Sequence, residues 1–187
     1  MKAICVAGSP NHLAWSRRLL REVTDGLAER GWDTDVLDLR DLKLPLLDVQ
    51  SYQSLDPYPD PVVQDWRNRV AAADAVVLST PVHHASYSGL LKCALDFLVA
   101  DAFAGRAVGL LSNGGAARGA TLGCEHLRSV VKALGGWPVP TQVATCAQDF
   151  DAETRTLSNR ALIRRCGALC DELTQFTHAM RPPRTDA

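Results

Sequence analysis

The sequence predicts one doubly wound α/β domain, a parallel sheet with helices on both faces and right-handed crossovers. Three observations predict it. Short continuous apolar runs bounded by turn residues recur at 2–8, 74–80 and 106–112, the pattern of strands buried on both faces. Helical patterns, with apolar residues at spacings of three and four, lie between them. No composition break and no internal repeat marks a second domain, so residues 1–180 are expected to form a single unit. Residues 181–187, with two prolines, are expected to be a disordered tail.

Taken in order, strand one (2–8) is too short for a signal sequence and ends in Gly8-Ser9-Pro10, a turn rather than a cleavage site. Helix 16–30 places Leu20, Val23 and Leu27 on one face. A weaker strand follows at 32–39. The stretch 40–61, with Pro45, Pro57, Pro59 and Pro61, shows no clear period; a connection that long is usually functional or part of an interface. After strand three (74–80), helix 88–100 aligns Leu90, Leu91, Ala94, Leu95 and Leu98. Strand four (106–112) leads to helix 119–135, with Leu127, Val130, Val131 and Leu134 on one face. A fifth strand at about 138–145 precedes a helix at about 154–178, where Leu162, Cys166, Leu169, Leu173 and Phe176 form the apolar stripe.

Composition narrows the function classes. In 187 residues, 20 Lys and Arg face 21 Asp and Glu, a net charge of -1, so no general basic field exists to hold nucleic acid or anionic lipid. No apolar run approaches the roughly 20 residues that span a bilayer. The cytoplasm is the expected compartment. The six cysteines are expected to stay reduced, and none forms CxxC or a metal-ligand spacing.

In an open α/β sheet the ligand lies beyond the carboxyl ends of the strands, where strand order reverses. That rule selects three loops: Gly8–Ser16, Thr80–Gly89 and Ser112–Gly119. The first leads straight into a helix. Its hydroxyls and the free N–H groups of the first helical turn can surround a phosphate, and they also suit a plain N-capped turn. GxGxxG, GxxxxGK[ST] and GxSxG are all missing, as are the acidic residues a Mg²⁺-dependent phosphoacceptor needs after strand one. What remains is a ligand with a phosphate but no dinucleotide fingerprint.

The second loop carries a family resemblance. Thr80-Pro81-Val82, Ala85, Tyr87-Ser88-Gly89, Leu91-Lys92 and Leu95-Asp96 stand in the register of the NADPH-dependent FMN reductases of flavodoxin-like fold. They are closest to the flavin reductases that serve two-component alkanesulfonate-type monooxygenases. Leu44-Pro45-Leu46-Leu47-Asp48, Gly114-Gly115 with Leu127-Arg128 and Val131, and Leu134-Gly135-Gly136 with Pro140 are similar to further stretches of the family. The resemblance spans roughly residues 3–145.

It implies a five-stranded sheet of order 2-1-3-4-5. It also implies an FMN phosphate held by the Ser9–Ser16 loop through Ser9, Asn11, Ser16 and Arg17. Pro81, Val82, His83 and His84 would line the isoalloxazine ring, with His84 facing either NADPH or solvent. Ser112 would belong to the third ligand loop, and Gly114 and Gly115 would let the backbone approach the ring's pyrimidine edge. Tyr87 would belong to a distorted helix at a subunit interface, giving a homodimer or homotetramer. No catalytic side chain and no metal are required, because the flavin carries the hydride chemistry from NADPH or NADH.

The sequence departs from that family at Asn11, where Arg is common, at Ala14, where Ser or Thr is common, and at His83, which replaces Tyr. Each lost charged contact weakens phosphate binding by roughly 1.5–3 kcal/mol, which predicts loosely held flavin unless Arg17 or Arg18 supplies the charge. Lys92 and Asp96, four apart, read as a surface ion pair. Trp15, Trp32, Trp66 and Trp137 read as core or interface fillers, Trp15 near the mouth of the phosphate loop; His126 reads as a core histidine. Three functions follow: a flavin reductase supplying reduced FMN to a partner monooxygenase, an FMN-bound reductase of quinones, azo or nitro compounds or a pathway intermediate, and a non-catalytic flavodoxin-like binding protein.

Overall fold

The computed structural model describes residues 1–53 and 58–180. Strands β1 (Lys2–Ala7), β2 (Asp33–Asp38), β3 (Ala75–His83), β5 (Ala107–Asn113) and β6 (Trp137–Thr145) pair in parallel in the order β2-β1-β3-β5-β6. With the short β4 (Ser86–Tyr87) set aside, this is the expected 2-1-3-4-5 flavodoxin-like order. β4 is an addition: it folds back antiparallel on the end of β3, pairing Val82 with Tyr87 and His83 with Ser86.

The alternation along each central strand divides the core in two. Ile4, Val6, Val76, Leu78, Val108 and Leu110 face α3 (Pro61–Ala71), α4 (Gly89–Asp96) and α5 (Ala117–Ala133). Ala3, Cys5, Ala75, Val77 and Leu111 face α1 (Trp15–Ala28) and α6 (Arg160–Met180). Cys166 and Cys170 are buried with free thiols on that second face, Cys166 as its place in the stripe predicts. A four-residue α2 (Leu39–Leu42) follows β2.

Three elements depart from the pattern reading. α3 is not assigned by it, although Asp60 caps the helix by accepting from the Val62 amide, Pro61 occupies its first turn and Val63, Trp66 and Val70 bury one face. The last helix begins at Arg160 rather than near 154, because residues 146–159 form a closed loop. In that loop Asp149 accepts from the Cys146 amide and the Asn159 side chain, and Phe150 bridges Leu157. The helix expected at 88–100 ends at Asp96. Pro57 and the expected tail 181–187 lie outside the described residues. Among those described, no helix is long and apolar enough to cross a membrane.

Candidate active site

The strand order reverses between β1 and β3, so the crevice beyond their C-terminal ends is where a ligand belongs. A cavity of about 370 Å³ exists elsewhere, lined by Arg67, Asn68, Leu98 and Arg106 near the start of β5. It sits at the opposite end of that strand, and strand topology outweighs its size in placing the site.

The loop after β1 is held at both ends by serines from the β3 side. Gly8 donates its amide to the Ser79 carbonyl at 2.8 Å, and the Ser79 hydroxyl donates to the Ser16 carbonyl at 2.8 Å. Ser88, the N-cap of α4, donates its hydroxyl to the Gly8 carbonyl while accepting from the Leu91 amide. This approach requires glycine: a Cβ on Gly8 would sit 2.9 Å from both Leu91 Cβ and the Ser79 carbonyl oxygen. Residues at the end of β3 and the start of α4 therefore shape the first loop, a role that the sequence alone does not reveal for Ser79 and Ser88.

Within the loop, the Ser9 hydroxyl accepts from the Asn11 amide and Asn11 Oδ1 from the Leu13 amide. α1 then starts with Ala14 at its N-cap, which offers no side-chain cap. The first-turn N–H groups of a helix have no intrahelical partner, so α1 presents uncapped donors and the positive end of its dipole. Ser16, only 2% exposed, has a buried Oγ without a hydrogen-bond partner among the described residues. An uncapped helix start beside an orphaned hydroxyl is an arrangement that an anion would complete.

Arg17 is committed to the loop itself. Its Nε donates to the Asn11 carbonyl and its Nη2 to the Ser9 carbonyl, both at 2.9 Å, and its guanidinium pairs with Asp38 at the end of β2. Burial lowers its pKa. Its charge is spent on Asp38 and on orienting loop carbonyls, which corrects its expected role as a direct phosphate ligand. His12, Asp38 and Asp41 also bring one donor atom each within 4.8 Å of one another, but the Arg17 guanidinium already neutralises Asp38 there.

The second loop is a tight hairpin. His84 and Ala85 sit at φ 46° and 65°, both left-handed, the requirement of the two-residue turn that matches strand twist. Pro81 and Val82 are half-buried, whereas His83 and His84 are exposed at the rim. Tyr87 lies in β4 and not in a distorted helix, because Ser88 starts a regular α4; burial raises its pKa, with Lys92 opposing and Asp96 adding to the shift. His126, expected in the core, is exposed on α5, and its Nδ1 lies 2.9 Å from the Ser86 hydroxyl, tying the hairpin to that helix. Lys92 and Asp96 form the expected ion pair at 2.6 Å.

The third loop corrects one expected ligand. Ser112 is fully buried, its hydroxyl donating to the Ala120 carbonyl and lying 3.0 Å from the Cys124 thiol, so it faces α5 and not the rim. Gly114 also serves packing, since its Cβ would lie 2.9 Å from Ala120 Cα. Gly115 opens to free space, leaving its backbone approachable. Arg128, on the helix that follows, is tied to Gln142 and to the Val139 and Pro140 carbonyls.

A sequence profile of the NADPH-dependent FMN reductases matches residues 1–150. The chain belongs to that family. It is accordingly an NAD(P)H:flavin oxidoreductase whose cofactors are FMN and NADPH. An FMN-dependent NADPH-azoreductase of Staphylococcus saprophyticus is 33% identical over 180 residues, covering 94% of this chain and 95% of the relative. One from Staphylococcus aureus is 36% identical over 154 residues, covering 80% and 79%. Among solved structures, an oxidoreductase of Corynebacterium diphtheriae superposes with a TM-score of 0.77 at 21% identity, over 95% of this chain and 97% of that one. A flavoenzyme NAD(P)H:(acceptor) oxidoreductase of Paracoccus denitrificans does so with 0.75 at 19%, over 96% and 97%. The latter two share the fold. The residues present fit FMN: an uncapped α1 and the orphaned Ser16 Oγ suit its phosphate, and the Val82–His84 rim with open Gly115 suits a flat ring.

Proposed function

We propose that this flavin oxidoreductase keeps FMN bound and reduces azo or quinone-type acceptors with NADPH. The observation that carries the reading is the near full-length likeness to a curated FMN-dependent NADPH-azoreductase, 33% identical over 94% of this chain. When bound, FMN would supply the hydride-transfer chemistry between NADPH and the acceptor.

The protein's part is to bind and orient. Ser9, Asn11, Ser16 and the first turn of α1 would hold the phosphate, with Arg17 bracing the loop from behind. Pro81, Val82, His83 and His84 would line one side of the ring, and the open backbone at Gly115 would meet its polar edge. Because His83 and His84 stand exposed on a short hairpin, the nicotinamide and the acceptor would reach the ring in turn from the solvent side. A homo-oligomer is part of the proposal: Leu46, Val49 and Tyr52 are exposed apolar residues in the proline-containing loop beside α4, and sedimentation as a monomer would remove it.

A second reading, release of reduced FMN to a monooxygenase, is favoured by the Thr80–Asp96 block and by the missing Arg at Asn11. Steady-state kinetics separate the two. The bound-flavin reading expects FMN to co-elute with the protein and NADPH oxidation to accelerate with an azo dye or a quinone. Turnover that saturates in added FMN and ignores both acceptors would overturn it.

A further inference from the structure

We infer that Arg155, carried by the loop between β6 and α6, is the cation of the phosphate pocket and replaces the charge that the first loop lacks. The inference rests on the reading of the Gly8–Ser16 loop as the cradle of the FMN phosphate.

Two first-loop positions do not supply that charge. Asn11 is neutral, and Arg17 is paired with Asp38. Arg155 comes from far along the chain, yet its Nη2 donates to the Leu13 carbonyl at 2.5 Å, one residue before the α1 N-cap. Its Cζ lies 4.1 Å from the centroid of the Trp15 ring, a cation–π contact, and Trp15 stacks in turn on Phe150 at 4.9 Å. Among the described residues Arg155 has no carboxylate partner within ion-pair distance, and its Nε is buried with no hydrogen-bond partner. An arginine has five N–H donors in a planar fork. Here one edge is anchored to the loop, the face is covered by indole, and a buried donor remains unsatisfied.

The loop that presents it is built to do so. Asp151 Oδ1 accepts from the amides of Glu153 and Thr154 and from the Thr154 hydroxyl, and the Arg155 amide donates to the Asp151 carbonyl. That turn holds Arg155 at φ 56°, a left-handed conformation that a residue with a Cβ adopts at a cost. A surface arginine with no task needs neither the turn nor the strain. A dianionic phosphate at the α1 start would complete the guanidinium's donors, as Arg forks do with phosphate elsewhere.

The test uses two probes, FMN and riboflavin, which share the ring and differ in the phosphate. Dissociation constants are measured by flavin fluorescence for the wild type, Arg155→Gln and Arg155→Lys, with thermal melts reporting folding. Arg155→Gln is expected to weaken FMN roughly ten- to hundredfold and to leave riboflavin within about twofold. Arg155→Lys, which keeps the charge and loses the fork, is expected to fall between. FMN affinity unchanged in both variants, or FMN and riboflavin weakened equally, overturns the role of Arg155. Should the glutamine variant fail to fold, the lysine variant decides on the same criterion. A wild type that binds FMN no better than riboflavin refutes the phosphate cradle itself, an outcome separate from failure of Arg155 alone.

Discussion

Ser16→Ala is expected to move flavin-free stability and flavin affinity in opposite directions. Ser16 is 2% exposed and its Oγ has no partner, while its backbone carbonyl, held by Ser79, is untouched by the change. A buried unsatisfied hydroxyl costs about 1–3 kcal/mol, and alanine is the better helix former in the first turn. Without flavin the variant should therefore be more stable by about 1 kcal/mol, a rise of roughly 2–4 °C in Tm at this chain length. With FMN, the lost hydrogen bond to a charged group is worth about 1.5–3 kcal/mol, a roughly thirtyfold loss of affinity at mid-range. At FMN a thousandfold above the wild-type Kd, bound flavin adds about 4 kcal/mol to the wild type and about 2 to the variant. The order of melting temperatures should thus cross as FMN is titrated in. A differential scanning measurement with and without saturating FMN reads both ends. A variant that melts below the wild type in the absence of flavin refutes the reasoning, since the hydroxyl would then have had a protein partner all along.

Asp35 on β2 is held below the usual carboxylate range by hydrogen bonds from Arg69, with Lys2 contributing. A depressed folded-state pKa contributes stability that is complete above the unfolded value of about 3.9 and is lost as pH falls through the lower folded value; the urea-midpoint gap between wild type and Asp35→Asn should be open at pH 7 and close towards about pH 2, and a constant gap counts against the pair. Burial pushes the Cys5, Cys124 and Cys166 thiols to about 12 and Cys170 to about 11, so Ellman's reagent at about pH 8 should find at most Cys93 and Cys146 in the native protein and all six after unfolding. His84 and Ala85 occupy left-handed positions that Asn and Gly fill with less strain. The double variant H84N/A85G should gain about 1 kcal/mol or more in chemical denaturation, and destabilisation would show that the His84 side chain holds the hairpin.

Strands legible in the sequence were those buried on both faces: β1, β3 and β5 begin and end within a few residues of their apolar runs. α3 has a weak signature because only Val63, Trp66 and Val70 mark its face, although Asp60-Pro61 is a recognisable helix start. β4 is two residues long, and its turn lacks the Asn or Gly that announces such a hairpin. At the site, Ser9 and Gly115 can be proposed from the sequence because they lie just beyond the first and fourth strands, and Ser16 because it stands in the first turn of the helix that follows. Ser112 differs from expectation since its position in β5 turns its side chain towards α5, a parity that a loop boundary hides. Arg155 carries no local signal; only the fold brings it to Leu13, 142 residues away.

Charge accounting around α1 bears on what the enzyme does with its flavin. A phosphate dianion set against uncapped amides and a serine alone would be held by neutral donors and a partial dipole charge, an arrangement suited to exchange. Arg17 does not change this, because Asp38 cancels it within the same loop. The guanidinium that meets the loop at Leu13 has no carboxylate partner among the described residues, and the indole beneath it shields one face from water. A charge so placed acts at lower effective dielectric than one on a solvated loop, and it favours retention. Bound flavin and an unpaired Arg155 are thus one claim seen from two sides. An enzyme that releases reduced FMN would gain nothing from either, and FMN that elutes apart from the wild type and binds Arg155→Gln as well as the wild type would count against both.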